Sequence, residues 1–182
     1  MKICFLAPSG YGKSTAIQLL KKNFNILNIK IAKPLYDLQE IFYNKIGIDT
    51  KMEQDGELLQ FLGLKIRKEN PSYLLLKFQE QIKQCESLEN IIITNDDCRT
   101  YDYQCLKDLG FIFIKINGYS RNRNDLTPIN KELKLEWKSD IPFDYEINNY
   151  KDLATYEKEL LKIMEVIIND REMLCHSYSK SM

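Results

Sequence analysis

Apolar residues along this chain fall into two kinds of run. Lys2–Leu6, Asn90–Thr94 and Phe111–Ile116 are short and almost continuously apolar, with Ile91-Ile92-Ile93 at the heart of the second. Asn25–Ile31 alternates weakly, and Asp144–Ile147 is shorter still. Such runs read as strands, and continuous apolarity points to a sheet buried on both faces. Between them, apolar positions recur at helical spacing over Lys13–Asn23, Pro34–Ile46, Gly56–Glu69, Ser72–Glu86, Tyr101–Leu109 and Leu153–Asn169. Pro71, which lacks an N–H, separates the third helix from the fourth. The last helix carries Leu153, Tyr156, Leu160, Leu161, Ile163, Met164 and Ile167 as a core face. The order is strand, helix, strand, a mainly helical insertion, then strand-helix-strand. This predicts a doubly wound α/β fold: about five parallel strands with helices on both faces. Ligands in such a fold gather at the carboxyl ends of the strands.

The first strand end is the most informative. Ala7-Pro8-Ser9-Gly10-Tyr11-Gly12-Lys13-Ser14-Thr15 lies between the apolar run Ile3–Leu6 and the amphipathic run Ala16–Leu20. Strand, glycine-rich turn and helix are the context that a phosphate-binding P-loop requires. Gly10 and Gly12 free the backbone to wrap an anion with successive N–H groups, and the helix opening near Lys13 directs its positive dipole end at the same anion. Lys13 is expected to reach the β- and γ-phosphates and the Ser14 hydroxyl to ligate Mg²⁺. Ala7 stands where the usual pattern begins with glycine.

Bulk properties narrow the setting. The 182 residues suffice for one well-buried domain, and 44% hydrophobic with 29% charged residues is a globular composition. Formal net charge is zero, so no overall basic field exists to hold nucleic acid. Five scattered cysteines, with no metal-finger spacing, suit reduced thiols in the cytoplasm. Residues 1–6 are too short an apolar run for a signal peptide, and no stretch is long enough to span a bilayer. His176 is the single histidine and lies in the tail, so neither histidine nor thiol catalysis is expected.

The other strand ends carry charge. After the third strand comes Thr94-Asn95-Asp96-Asp97-Cys98-Arg99. An acidic residue beside a P-loop commonly anchors Mg²⁺, often through water; Asp96 and Asp97 are both candidates, and the pattern does not choose. Asp97 or Thr100 would also cap a following helix. Arg99 is near enough to grip a second phosphate with its planar fork. After the second strand, Lys33 precedes Pro34 and reads on residue physics alone as a solvated lysine at a helix start. In the insertion, Leu59, Leu62, Leu64 and Ile66 read as packing. Gln60 suits either an exposed helix position or the edge of a base, and Arg67 suits a phosphate if the segment covers a pocket. Arg121 and Arg123 sit in the polar, turn-rich stretch from Gly118 to Asp140, as a lid over transferring phosphates would have them.

With these pieces in place, the chain resembles the P-loop nucleoside monophosphate kinases, most of all the deoxynucleoside monophosphate kinases of phages and some bacteria. The resemblance is carried by FLAPSGYGKST, AKPLY, QDGELLQFLG with KIRKENP, NDDCR, and SDIPFDYEINNYKDL, and it spans most of residues 1 to about 165. It implies a single P-loop kinase domain over 1–169, with an acceptor-binding region at about 32–86 and a short lid at about 118–140; the tail over 170–182 has little apolar pattern and is expected to fray. It implies ATP and Mg²⁺ as cofactors and a nucleoside monophosphate as acceptor. Ser9, Gly10, Tyr11, Gly12, Lys13, Ser14 and Thr15 would then hold the donor. Lys33, Gln60, Arg67, Asp97 and Arg99 would serve the acceptor, and Ser14 with Asp96 the metal. Lys13, Arg99, Arg121 and Arg123 would stabilise the transferring phosphoryl group. A homodimer is an allowed assembly, while no membrane or nucleic-acid partner is expected. The rival expectations are a P-loop kinase for another small acceptor or for a modified base in DNA, and a non-kinase NTPase switch.

Overall fold

A computed structural model describes residues 1–48, 54–85, 87–119 and 141–179. Five strands form one sheet: β1 (Lys2–Leu6), β2 (Ile26–Asn28), β3 (Ile92–Asn95), β4 (Ile112–Gly118) and β5 (Tyr145–Asn149). Their spatial order is β2-β3-β1-β4-β5, and every pairing is parallel. β1 is central, with Cys4 opposite both Asn95 and Phe113. The helices are α1 (Lys13–Leu20), α2 (Lys33–Lys45), α3 (Gly56–Glu69), α4 (Tyr73–Cys85), α5 (Tyr103–Asp108) and α6 (Leu153–Ser179). No helix among the described residues is long and apolar enough to cross a membrane.

The period-two alternation of the strands sorts the core into two layers. Ile3 and Phe5 of β1, with Ile114 and Ile116 of β4, pack with Ile17, Leu20, Tyr156, Leu160 and Met164 of α1 and α6. Cys4, Leu6, Ile93 and Phe113 face the other way, onto Leu35, Leu74, Phe78, Ile82 and Leu106 of α2, α4 and α5. Both faces of the sheet are therefore covered. That is why these strands read as continuous apolar runs.

Among the boundaries that differ from the sequence pattern, three have a local reason. β2 ends at Asn28 instead of continuing to Ile31: Ile29 N still donates to Thr94 O of β3 at 2.9 Å, but Ile31 N and Ala32 N turn to the Asp97 carboxylate at 3.0 and 2.9 Å. α1 stops at Leu20; the bonds Lys22 N to Leu19 O and Asn23 N to Leu20 O have already tightened to i→i−3 spacing. The last helix reaches beyond the Asn169 at which its apolar pattern ends: α6 runs on to Ser179. Extending a formed helix costs far less than starting one, and Tyr145 Oη donates to Asp170 at 2.8 Å, anchoring the extension to β5.

Candidate active site

The P-loop follows β1, with φ of 79° at Gly10 and 94° at Gly12, both in the left-handed region that glycine tolerates. Ala7 needs no such freedom: Asn90 is the one non-glycine with positive φ among the described residues. α1 opens at Lys13 with Gly12 as its N-cap and no capping side chain. Its first amide groups are thus left for another acceptor. Lys13 Nζ donates to the carbonyls of Ala7 at 2.7 Å and Pro8 at 3.0 Å. Burial, reinforced by the Arg99 charge, lowers its pKa from 10.5 to about 8, with Asp96 and Asp97 opposing the shift.

The two aspartates after β3 have different surroundings. Asp96 is buried and accepts from Ser14 Oγ at 3.0 Å and Asn28 Nδ2 at 3.1 Å, with Lys30 Nζ 3.6 Å away. Asp97 accepts from Ile31 N, Ala32 N and Asn95 Nδ2, the last at 2.7 Å. Burial pushes its pKa up, and these bonds oppose the rise. Asp97 therefore binds the segment after β2 to the end of β3, while Asp96 faces the P-loop. Strand order explains the difference, since β3 lies between β2 and β1. Ser14 and Asp96 offer one hydroxyl and one carboxylate. Such hard oxygen donors fit Mg²⁺, which keeps several waters and takes its remaining ligands from phosphates. No cluster of three or more His, Cys, Asp or Glu side chains occurs among the described residues.

Several expected acceptor residues lie otherwise than anticipated. Lys33 is exposed at the start of α2 and pairs with Asp37 on the same helix. The cation directed at Asp96 from this segment is Lys30, which also lies over the Tyr36 ring, 5.7 Å from its centroid. Arg67 of α3 is engaged by Asp102: Nη1 lies 3.2 Å from Oδ1, and the guanidinium stacks 3.9 Å from the Tyr101 centroid. Asp102 has no exposed side-chain surface, and it accepts from the Arg99 backbone N–H at 3.1 Å. Burial raises the Asp102 pKa from 3.8 to about 6, against the Arg67 charge that lowers it. Gln60 is half-buried on α3 and is not brought into hydrogen-bonding contact with the P-loop. Arg121 and Arg123 lie outside the described residues. Arg99, by contrast, is half-buried close enough to Lys13 to depress its pKa.

Residue patterning gave no sign of three contacts around the P-loop and Asp96. Lys30 interrupts the apolar pair Ile29 and Ile31 and reads as a strand-edge lysine. Asn149, at the end of β5, donates from Nδ2 to Tyr11 O at 3.0 Å, and Tyr156 Oη donates to Gly12 O at 3.2 Å. Tyr156 sits in the apolar stripe of α6, where a core role accounts for it; nothing in its spacing signals the hydroxyl's partner.

No family model matches the chain, and no curated protein matches it. Solved structures do. A protein from Thermus thermophilus is similar at a TM-score of 0.57 and 13% identity, over 93% of this chain and 97% of the other. A gluconokinase from Sinorhizobium meliloti 1021 is similar at 0.52 and 13%, over 95% and 96%. A dephospho-CoA kinase from Campylobacter jejuni is similar at 0.51 and 16%, over 94% and 100%. The chain has the α/β fold of P-loop kinases. At these identities the likeness speaks of fold, and the site must be argued from its own residues.

Proposed function

We propose that this protein is a P-loop phosphotransferase that moves the γ-phosphoryl group of ATP to a nucleoside monophosphate, of the deoxynucleoside monophosphate kinase type. The observation that carries the reading is Ser14 Oγ at 3.0 Å from the buried Asp96 carboxylate, beside an uncapped helix start and a half-buried lysine. A hydroxyl and a carboxylate meeting across two neighbouring strand ends are what Mg·nucleotide binding needs.

In this reading the P-loop amides and Lys13 hold the donor's β- and γ-phosphates, and Lys13 leaves the Ala7 and Pro8 carbonyls to do so. Ser14 and Asp96 would hold Mg²⁺, which supplies charge neutralisation at the β- and γ-oxygens. Arg99 would balance charge on the transferring group or on the acceptor phosphate. An acceptor monophosphate is already an anion at neutral pH, so no general base is required, and positioning with charge stabilisation suffices. Arg67 serves the acceptor only if it leaves Asp102, and Lys30 is the better-placed cation on that side. Gln60 as reader of the acceptor base, and Arg121 and Arg123 as lid arginines, rest on the sequence resemblance.

The test is ADP release from Mg·ATP across a panel of ribo- and deoxyribonucleoside monophosphates, with gluconate and dephospho-CoA as the competing acceptors. ADP formed with one nucleoside monophosphate, and not without it, is the expected result. Selective use of either competing acceptor would replace the acceptor assignment. Slow, acceptor-indifferent hydrolysis would overturn the transferase reading in favour of an NTPase.

A further inference from the structure

The P-loop is held from outside by two side chains that its motif does not contain. Asn149 ends β5 and is buried; its Nδ2 donates to the Tyr11 carbonyl at 3.0 Å. Tyr156, the fourth residue of α6, is 1% exposed and donates its hydroxyl to the next carbonyl, that of Gly12, at 3.2 Å. The Gly12 oxygen also accepts the first α1 bond, from Ala16 N at 2.9 Å. Two consecutive peptide units of the turn are thereby fixed by elements far away in sequence.

Peptide planarity turns this into a statement about the site. In a trans unit the C=O of one residue and the N–H of the next point in opposite directions. Securing the Tyr11 carbonyl therefore aims the Gly12 N–H the other way, and securing the Gly12 carbonyl does the same for the Lys13 N–H. Those are amides with which a P-loop would meet phosphate. The packing leaves no slack. A Cβ on Gly12 would lie 2.4 Å from Asn149 Nδ2, and one on Gly118, the β4 partner of Asn149, would lie 3.1 Å from the Asn149 carbonyl oxygen. Asn149 is wedged between two glycines, one on the P-loop and one on the neighbouring strand.

We infer that Asn149 and Tyr156 are positioning residues that orient the Gly12 and Lys13 amides toward the donor nucleotide's phosphates. This rests on the phosphotransferase reading and extends it to residues outside the motif. Neither side chain touches the reacting atoms in this account; each acts through a backbone carbonyl. Asn149→Asp keeps the shape, removes the donor and sets a carboxylate against a carbonyl. Tyr156→Phe removes a single oxygen.

The experiment is steady-state kinetics and calorimetric ATP binding with the full chain. Wild type, N149A, N149D and Y156F are compared, each with its unliganded melting temperature. Y156F and N149A are expected to raise the ATP Kd and KM roughly tenfold each, as for loss of one orienting hydrogen bond. N149D should raise them further, and the acceptor KM should stay unchanged in all three. A purely structural role would lower the melting temperature and leave the ATP KM alone, and that result overturns the inference. If N149A or N149D fails to fold, Y156F decides the matter by the same split. A wild type that binds no ATP would remove the phosphotransferase reading itself, whereas an active wild type with indifferent variants removes only this inference.

Discussion

At the residue scale, Lys13 is the group whose surroundings make the sharpest demands. Its ammonium is buried and hydrogen-bonded to two carbonyls of its own loop, and its pKa of about 8 lies well below the ordinary 10.5. Burial and Arg99 both disfavour the charged form, so the charge is present below pH 8 and is lost as pH rises through that value. A bound triphosphate reverses the balance by adding negative charge beside it. ATP affinity should therefore weaken as pH is raised from about 7 to about 9. Binding near pH 8 should take up a proton, measurable by calorimetry in buffers of different ionisation enthalpy. Lys13→Ala should lower kcat on the order of 10²-fold or more while circular dichroism and unliganded melting stay close to wild type.

At the element scale, α3 is the least embedded helix: none of its residues is fully buried. Asp55 caps it by accepting from Leu58 N at 3.0 Å, and its last turn is secured by the Arg67–Asp102 pair. Removing one member of a buried pair strands the other's charge. Arg67→Ala should therefore cost about 3 kcal/mol of stability at neutral pH. The sign of the pH dependence follows from Asp102. Its folded pKa is raised from 3.8 to about 6, so its protonated form favours the fold, and that contribution is full below 3.8 and lost as pH rises through about 6. The R67A penalty should accordingly shrink when denaturant unfolding is measured at about pH 5, where Asp102 can take up a proton. Asp102→Asn should recover much of the loss in the double variant. An R67A penalty that grows on acidification would refute this account of the pair.

At the scale of the whole molecule, the site unites the ends of β1, β3 and β5 with both helical layers, so ligand binding and global stability are linked. Mg·ATP at about a hundred times its Kd should stabilise the native state by about 2.7 kcal/mol. For a chain of this size that is a melting shift of roughly 5–10 °C. The shift should vanish in Lys13→Ala, and thermal denaturation with and without nucleotide measures both. The two-layered core around β1 is the reason a ligand at the P-loop would report on the entire fold.

Much of this architecture was legible in the chain itself. The continuous apolar strands, the helical stripes and the glycine-lysine-serine turn are local codes, written in residues close in sequence, and β1 and α3 coincide with their predicted bounds. Local patterning could not separate Asp96 from Asp97, because both stand at one strand end and only the neighbours supplied by β2 and the P-loop tell them apart. Nor could it bring Lys30 to Asp96, tie Arg67 to Asp102, or find Asn149 and Tyr156 behind the P-loop. Those assignments depend on which distant backbone and side-chain groups arrive at one point. Composition and periodicity encode burial and secondary structure. Hydrogen-bond partners between distant residues exist only once the sheet has assembled.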